Sequence, residues 1–308
     1  MKQTVEVDGR KLPLSNLDKV LYPETGFTKG QVIDFYIRIA PLLLPHLKDR
    51  PVTMKRYPDG VAGKYFYEKD KPRYTPAWVK TFPVPRRTGG KDICYLVIND
   101  LPSLVWCANL ANLELHPFLH RAPQIEQPTA VVFDLDPGDG SDILDCGEVA
   151  FLLKKFFAQW ELELFPKVSG SRGLQVYVPL NTTVTYEVTR PLAKAVAAFL
   201  AREHPKLVVA EMAKLSRTGK VFIDWSQNSD FKTTVSVYSL RAKRAAPYVS
   251  MPLRWETLER AMSRHDRGSL DFTPEQALEI AQKSGDLFAP VLKLKQRLPR
   301  DLTRMIGS

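Results

Sequence analysis

VVFDLDPG, residues 131–138, joins a strongly hydrophobic run to two aspartates and a Pro-Gly turn. Asp is depleted in β-strands, yet Asp134 and Asp136 end an apolar one here. Side chains at i and i+2 share one face of a strand, so the two carboxylates project together. Carboxylates held this close repel each other unless a cation lies between them or one binds a proton. Since Mg²⁺ and Mn²⁺ prefer oxygen ligands, the pair indicates a divalent-metal site; a capped turn before Pro137 is the alternative.

A second apolar run, Lys220–Trp225 (KVFIDW), also ends in an acid, Asp224. Three strand-borne carboxylates on neighbouring strands would form the metal platform used in two-metal phosphoryl or nucleotidyl transfer. A surface hairpin is the alternative for Asp224. An EF-hand loop that starts at Asp134 is excluded, because its fifth and sixth positions are Gly138 and Asp139. A haloacid-dehalogenase-type phosphatase, in which the first Asp of Asp-x-Asp is the nucleophile, remains the runner-up enzyme class.

Composition and charge exclude several classes of protein. The 308 residues include 44 Lys plus Arg and 34 Asp plus Glu, a net charge of +10 that is compatible with a polyanionic partner. The longest apolar runs, at 39–45 and 195–201, are too short to span a bilayer. Cys94, Cys107 and Cys146 are isolated, which argues against a disulfide framework or a zinc site. We therefore expect a soluble protein of the reducing cytoplasm.

Strands and helices alternate along the chain without repeats. The apolar spacing of Lys29–Leu44 predicts a helix capped by Thr28, and the apolar run Leu101–Leu115 is interpreted as a second helix. Val221–Trp225 and Thr233–Ser239 are predicted to be strands joined by a polar turn. Hairpins mixed with helices favour the α+β class over a regular doubly wound sheet.

A segment rich in Pro, His and Gln at 117–128 indicates an internal boundary. At roughly 100–200 residues per domain, the length fits one large domain or two smaller ones. We predict a single domain over 1–308, with an N-terminal subdomain over 1–117 and a catalytic core over 118–308.

The loop Ser169-Gly170-Ser171-Arg172-Gly173 lies between two predicted strands. Small residues let backbone N–H groups approach phosphate oxygens, and an arginine adds a bidentate cation. Basic residues flank the predicted carboxylate strands as well: Lys214, Arg217, Lys220, Arg241, Lys243 and Arg244. This distribution suits a metal-bound triphosphate as substrate; a simple turn and solvated surface charges are the alternatives.

In this order, the motifs resemble the polymerase domain of bacterial ATP-dependent DNA ligase D, in the archaeo-eukaryotic primase superfamily. The matching pieces, from about Leu14 to Pro252, are LSNLDKVLYPETGFTKG, PVTMKRYPDG, YFYEKDKPRYTPAW, LELHP, FDLDP, SGSRGLQVYVPL, VFIDWSQN and YSLRAKRAAPYVSMPL. The resemblance implies a primase-type catalytic fold of mixed and antiparallel sheets flanked by helices. It also implies template-dependent addition of nucleotides, preferably ribonucleotides, at gaps and ends during double-strand break repair by non-homologous end joining.

The resemblance carries roles to individual positions of this chain. It implies that Asp134, Asp136 and Asp224 are catalytic and bind two Mn²⁺ or Mg²⁺ ions. The positions that match nucleotide contacts are His116, Ser169, Ser171, Arg172, Gln175, Lys214, Arg217, Gln227 and Arg241. The positions that match DNA contacts are Asn16, Lys19 and Lys29 at the 5′-phosphate, the basic pair Lys55 and Arg56, and Tyr65 and Phe66, which would stack on template bases. The implied partners are DNA ends and gaps with a 5′-phosphate, NTP or dNTP, Ku and a DNA ligase, at the nucleoid and without a membrane.

The chain departs from the family pattern S-G-S-K-G-L-H at two positions, where it has Arg172 and Gln175. Arg172 keeps the positive charge of the family lysine. Gln175 can donate a hydrogen bond but cannot carry the charge of the family histidine. A DNA-end-binding module with weakened catalysis is therefore the alternative function, although three retained carboxylates favour an enzyme. A replicative primase is disfavoured, because the chain has no metal-binding cysteine set.

Overall fold

The computed structural model of the protein describes residues 2–304 and, within them, every side chain except those of Lys2, Lys214, Leu215, Thr303 and Arg304. The strands are β1 (Lys2–Val7), β2 (Arg10–Ser15), β3 (Val20–Tyr22), β4 (Phe27–Thr28), β5 (Pro51–Arg56), β6 (Phe66–Glu68), β7 (Thr81–Val84), β8 (Ile93–Val97), β9 (Asn112–Pro117), β10 (His120–Arg121), β11 (Gln124–Pro128), β12 (Ala130–Pro137), β13 (Phe165–Val168), β14 (Leu174–Pro179), β15 (Val208–Val209), β16 (Val221–Asp224), β17 (Leu240–Arg241) and β18 (Tyr248–Val249). The helices are α1 (Lys29–Leu47), α2 (Leu101–Asn109), α3 (Ile143–Ala158), α4 (Tyr186–Glu203), α5 (Trp255–Ser263), α6 (Pro274–Ser284), α7 (Ala289–Lys293) and α8 (Arg300–Arg304). Single 3₁₀ turns lie at Lys214–Arg217, Trp225–Gln227 and Arg267–Leu270.

The chain groups into two compact units. Unit 1 comprises Met1–Ala122, Thr233–Ser250 and Phe272–Asp286, and unit 2 comprises Pro123–Lys232, Met251–Asp271 and Leu287–Ser308. This grouping differs from a simple division at 117/118, because two later segments belong with the N-terminal residues. The single domain over 1–308, with an N-terminal subdomain over 1–117 and a catalytic core over 118–308, stays a prediction.

Unit 1 contains a five-stranded sheet in the order β6-β5-β8-β7, with β9 also paired to β5. Helix α1 begins where predicted, because the Thr28 side chain accepts a hydrogen bond from the backbone N–H of Gln31 and the Gln31 side chain accepts one from the backbone of Thr28. The predicted apolar face of α1 is buried, and α1 packs on α2. The helix runs three residues beyond the predicted end at Leu44, to Leu47.

The predicted helix Leu101–Leu115 is wrong in its second half. Helix α2 ends at Asn109, and Ala111 has φ of 56°, a left-handed conformation that turns the chain out of the helix. The following residues form β9, antiparallel to β5. An apolar run alone does not distinguish a buried helix from a buried strand, and here the pairing with β5 determines the outcome.

The predicted strand Thr233–Ser239 is also wrong. The segment makes isolated hydrogen bonds to β9, from the Thr234 N–H and the Ser236 N–H to backbone carbonyls at 3.2 and 2.9 Å. Tyr238 has φ of 62°, which interrupts an extended conformation. A regular strand pair forms only afterwards, between β17 and β18.

Unit 2 contains a five-stranded sheet in the order β13-β14-β12-β16-β15. The central strand, β12, is antiparallel to β14 on one side and to β16 on the other. Its residues Val131, Val132, Phe133 and Leu135 are fully buried, and α3 and α4 pack against it. The antiparallel sheets and their helices confirm the α+β class. Within residues 2–304, no helix combines the length and hydropathy needed to cross a bilayer.

Candidate functional site

The predicted carboxylates gather on the central sheet of unit 2. Asp134 on β12 lies directly opposite Asp224 on β16, and Asp136 lies opposite Phe222. Burial and the negative charges of Asp136 and Asp224 raise the pKa of Asp134 to about 8. The strands are therefore neighbours, as predicted, and burial together with the two nearby acids favours the protonated form of Asp134.

Amide and hydroxyl donors hold these carboxylates in place. Gln227 Nε2 lies 3.2 Å from Asp224 Oδ2 and 3.5 Å from Asp134 Oδ2, so one amide spans two acids. Asp224 Oδ1 accepts hydrogen bonds from the Ser226 backbone N–H at 2.9 Å and from the Ser226 hydroxyl at 2.6 Å. Gln175 donates a hydrogen bond to Asp134 from the opposite strand, β14. Asp134 and Asp224 are therefore held by one shared amide, and each has a further donor, Gln175 for Asp134 and Ser226 for Asp224.

A lysine that the sequence analysis missed completes this row of side chains. Lys167 on β13 lies opposite Gln175, and its side chain is fully buried, with Nζ 5.9 Å from the centroid of the Tyr177 ring. Its positive charge lowers the pKa of Asp134, against the larger effect of burial. Asp224, Asp134, Gln175 and Lys167 thus form a polar row across four adjacent strands. A lysine within the apolar strand FPKV was the available signal.

The donor set fits a divalent cation. Carboxylate oxygens are the ligands that Mg²⁺ and Mn²⁺ prefer, and the charges of Asp136 and Asp224 add to burial in raising the pKa of Asp134, so a cation beside the three acids would be favourable. Gln227 Oε1 is buried without a hydrogen-bond partner among the described residues. In residues 2–304 no trio of His, Cys, Asp or Glu is gathered at metal-ligand distances.

The predicted phosphate loop, Ser169–Gly173, is organised by its first serine. Ser169 Oγ accepts hydrogen bonds from the backbone N–H groups of Ser171 at 3.2 Å and Gly173 at 3.3 Å. Gly173 has no alternative here, because a Cβ would meet the Leu135 carbonyl oxygen at 2.0 Å. The exposed Arg172 donates to the Pro137 carbonyl at 3.3 Å, which fixes the guanidinium beside the end of β12. The loop therefore lies against the strand that carries two of the acids.

The other basic residues predicted for unit 2 differ in environment. Arg217 stacks on Phe222, with Cζ 3.6 Å from the ring centroid, and donates to the Met212 carbonyl at 2.8 Å. The backbone of Arg217 lies close to Gly138, since a Cβ on Gly138 would be only 1.8 Å from the Arg217 carbonyl oxygen. Lys214 was predicted alongside, and its side chain lies outside the described residues.

In unit 1, His116 and Arg241 converge on a buried carboxylate, Glu114, which the sequence analysis missed because the residue lay in a predicted helix. Glu114 Oε2 is 2.9 Å from His116 Nε2 and 3.2 Å from Arg241 Nη1, and Oε1 is 3.3 Å from Lys55 Nζ. We call these four residues the Glu114 centre. Burial lowers the pKa of His116, an effect that Glu114 opposes.

Lys55 therefore has a different environment from that of an exposed DNA contact. It is 2 % exposed, and Nζ lies 5.1, 4.3 and 5.5 Å from the ring centroids of Tyr57, Tyr65 and Tyr67. Its role at DNA stays a prediction, and the distances describe an ammonium enclosed by aromatic rings.

Aromatic side chains form an exposed patch beside Arg56. Tyr65, Phe66, Tyr67 and Tyr74 are 54, 44, 54 and 60 % exposed. Arg56 Cζ lies 5.2 Å from the Phe66 ring centroid, and its Nη1 contacts Glu68 at 2.8 Å and the Tyr74 hydroxyl at 3.0 Å. We call the four rings the aromatic patch. Two of them, Tyr67 and Tyr74, add to the two that the sequence analysis predicted, and the motif YFYEKDKPRY already contains all four.

The predicted 5′-phosphate residues are brought together by the β3–β4 hairpin. The Lys29 backbone N–H donates to the Lys19 carbonyl at 2.8 Å, and the Lys19 N–H donates to the Asn16 carbonyl at 3.1 Å. Lys19 Nζ pairs with Asp59 at 2.9 Å, and Lys29 Nζ donates to the Ser15 carbonyl. Burial, followed by the positive charges of Lys19 and Arg56, lowers the pKa of Lys29 to about 8. Three cations therefore lie close together, which favours an anion.

Comparisons with known proteins point in one direction. The family model described as LigD, primase-polymerase domain, matches residues 28–288. The chain is 40% identical over 283 residues to the multifunctional non-homologous end joining protein LigD of Mycolicibacterium smegmatis, a match that covers 91% of this chain and 36% of that protein. It is 32% identical over 255 residues to the bifunctional non-homologous end joining protein LigD of Bacillus subtilis, which covers 82% of this chain and 40% of the relative.

A solved structure agrees with these matches. The polymerase domain from Mycobacterium tuberculosis ligase D in complex with DNA superposes with a TM-score of 0.85 at 37% sequence identity. The match covers 92% of this chain and 99% of that one. The chain thus spans little more than a third of the length of the curated relatives and nearly the whole of the solved domain.

Proposed function

The chain belongs to the LigD primase-polymerase domain family and is a DNA-directed nucleotidyltransferase, and on that premise we propose that it fills gaps and extends DNA ends during non-homologous end joining. The observation that carries the proposal is the pairing of Asp134 with Asp224 across adjacent strands, with Asp136 two residues from Asp134. Binders of DNA need cations for affinity, whereas a cluster of acids serves metal-dependent chemistry.

The three acids would hold two Mn²⁺ or Mg²⁺ ions. Metal ions bound there would supply positive charge to the attacking and leaving oxygens of a nucleotidyl transfer. Gln227 keeps Asp134 and Asp224 facing one another, since its Nε2 lies within 3.5 Å of both. Gln175 donates to Asp134 from the other side and favours its charged, metal-binding form.

The Ser169–Gly173 loop would take phosphate oxygens of the incoming nucleotide. The Ser169 hydroxyl accepts hydrogen bonds from two backbone N–H groups of the loop, so the conformation of the loop backbone is fixed before a ligand binds. Arg172 adds a guanidinium on the exposed side. We propose both NTP and dNTP as substrates, with ribonucleotides preferred.

DNA would bind to two surfaces of unit 1. The three cations Lys19, Lys29 and Arg56 suit the 5′-phosphate at a gap or recessed end. The aromatic patch suits unpaired template bases, because bases of any sequence stack on exposed rings. The proposed work at broken chromosomal ends implies Ku and a DNA ligase as partners and the bacterial nucleoid, in the cytoplasm, as the place of action.

The experiment is primer extension on gapped DNA with Mn²⁺ or Mg²⁺, comparing wild-type protein with the Asp134→Asn variant. We expect extension to fall at least 100-fold while the affinity for the gapped DNA stays within twofold. Asp8→Asn, which removes an acid from the β1–β2 turn and keeps a residue that tolerates the positive φ there, is the matched control. Full extension by Asp134→Asn would contradict the proposal. DNA binding without extension by the wild-type protein would favour the end-binding module instead.

A further inference from the structure

Glu114 binds more side chains than any surface acid described above, and it does so while buried. It is 1 % exposed, on β9. Its oxygens accept from Lys55 Nζ at 3.3 Å, the Tyr57 hydroxyl at 3.3 Å, the Ala242 backbone N–H at 3.1 Å and Arg241 Nη1 at 3.2 Å, and lie 2.9 Å from His116 Nε2. Burial alone would raise the pKa of Glu114, but the hydrogen bond from His116 and the charges of Arg241 and Lys55 hold it well below its usual range. Glu114 is therefore a permanent anion that joins β5, β9 and β17.

The charges of the Glu114 centre do not cancel. Lys55 and Arg241 contribute two cations against the single carboxylate, before any proton on His116 is counted. An uncompensated charge in a buried position is costly unless a ligand of opposite sign is available. The centre therefore favours an added anion.

Arg241 also keeps a donor in reserve. Arg241 is 8 % exposed, and its Nη1 contacts Glu114. Its Nε is buried without a hydrogen-bond partner among the described residues. Buried N–H groups are nearly always satisfied, so one that is not marks a place for a ligand or water. Since Glu114 fixes one edge of the guanidinium, it also fixes the direction of the donors that remain.

We propose that Glu114 is a positioning residue that anchors Arg241 and His116 so that their remaining donors bind a polyphosphate anion, of the kind that a nucleoside triphosphate carries. The proposal rests on the proposed function, from which the nucleotide is taken. Glu114 itself would not touch the phosphates, since like charges repel. Its effect is to hold the Arg241 guanidinium and the His116 ring in one geometry, since it contacts both.

A charge-only account makes the opposite prediction. Replacing Glu114 with Gln removes a negative charge and would tighten the binding of an anion if charge alone mattered. If position matters, the neutral amide no longer anchors Arg241 and Lys55, and anion binding weakens. The sign of the change in affinity therefore separates the two accounts.

The experiment measures binding of inorganic tripolyphosphate and of GTP by calorimetry, together with KM and kcat of primer extension, for wild-type protein, Glu114→Gln and Glu114→Asp. We expect the Kd for tripolyphosphate and the KM for GTP to rise at least tenfold in Glu114→Gln, with kcat changed less than threefold. Glu114→Asp, which keeps the charge one carbon further back, should recover part of the affinity. Asp286→Asn is the matched control, because Asp286 is a partly buried acid of unit 1 that pairs with a histidine, His46, at 2.9 Å; its KM should stay within twofold of wild type.

The pH dependence of GTP binding distinguishes a positioning role of Glu114 from a purely structural one, because a loss of packing alone would not shift it. His116 faces Glu114, Arg241 and Lys55, with the Tyr67 ring 6.1 Å away, and of these only Glu114 raises its pKa. Removing Glu114 should therefore shift the acidic limb of GTP binding to lower pH. Tighter or unchanged binding of tripolyphosphate by a folded Glu114→Gln variant would overturn the proposal while leaving the polymerase function intact. Wild-type protein that binds neither tripolyphosphate nor GTP would overturn both.

Discussion

Gln175 lies directly opposite Asp134 in the β12–β14 ladder and donates a hydrogen bond to its carboxylate. The family resemblance implies a phosphate contact at this position, where the family pattern has a histidine and this chain has Gln175. At 2 % exposure, the amide supports a candidate metal ligand from within the sheet. A change at Gln175 should therefore appear first in how the site binds cations.

Gln175→Ala is expected to raise the Mn²⁺ concentration needed for half-maximal primer extension severalfold at pH 7. The hydrogen bond from Gln175 lowers the pKa of Asp134, so its loss leaves Asp134 protonated to a higher pH and a cation must displace the proton. The requirement should relax at pH 8.5. Mn²⁺ titrations of extension at both pH values measure it, with the exposed Gln124→Ala as control. An unchanged Mn²⁺ requirement would show that the hydrogen bond has no influence on the site.

The metal-free protein should lose stability as the pH rises. The pKa of Asp134 is about 8 in the folded chain against an ordinary value of 3.8, so its contribution is fully present below pH 4 and is lost as the pH rises through 8. Thermal unfolding in EDTA should show Tm falling between pH 5 and 9, and Asp134→Asn, which is neutral throughout, should fall less. Parallel curves for the two proteins would speak against a charged, crowded Asp134. Added Mn²⁺ should raise the wild-type Tm most at pH 8 and above.

The preference for a 5′-phosphate should fade above pH 8. Burial, Lys19 and Arg56 lower the pKa of Lys29 to about 8, so Lys29 loses its charge as the pH rises through that value. Fluorescence anisotropy with gapped DNA that carries a 5′-phosphate or a 5′-hydroxyl, at pH 7 and 9.5, measures the ratio of the two affinities. Lys29→Arg should keep its ratio at pH 9.5, because a guanidinium remains charged. If the wild-type protein shows the same ratio of affinities at pH 7 and pH 9.5, the 5′-phosphate does not bind at Lys29. Rising salt should reduce every ratio.

Tyr65→Ala and Phe66→Ala should each weaken binding to gapped DNA by about 1–3 kcal/mol, the usual contribution of one base–aromatic stack. Both rings are about half exposed and therefore available to bases. Tyr65→Phe keeps the ring and should bind as wild type does. Affinity for fully paired duplex, measured in parallel, should change little. Equal losses on gapped and paired DNA would mean that the rings serve the protein's own structure, including the enclosure of Lys55.

The central strand and the acids could be predicted from the sequence because they are local. An apolar run followed by Asp-x-Asp carries both the strand and the shared face of its carboxylates. The helix α1 was equally local, since its apolar spacing and the cap at Thr28 lie within one segment. Such features need no knowledge of what the segment pairs with.

The Glu114 centre could not be predicted in this way, because its members meet only through tertiary pairing. Glu114 lay in an apolar run that fitted a helix, and it becomes a buried acid only when β9 pairs with β5. Lys167 was passed over for the same reason, since its neighbour Gln175 belongs to another strand. A buried charge is determined by partners that are distant in the sequence, which explains why the same analysis found the acids of β12 and missed their surroundings.

The discontinuity of unit 1 has a consequence during synthesis. Glu114 receives the backbone N–H of Ala242 only after 128 further residues have been joined, a delay on the order of 6–25 s at the usual rates of translation. Until then the paired strands β5 and β9 emerge from the ribosome with Lys55 as an early partner for Glu114 and without Arg241. The Glu114 centre is therefore completed only when the second half of the chain has been synthesised. A fragment that stops before Thr233 would contain all strands of the five-stranded sheet of unit 1, but it would lack Arg241 and Ala242, which contact Glu114.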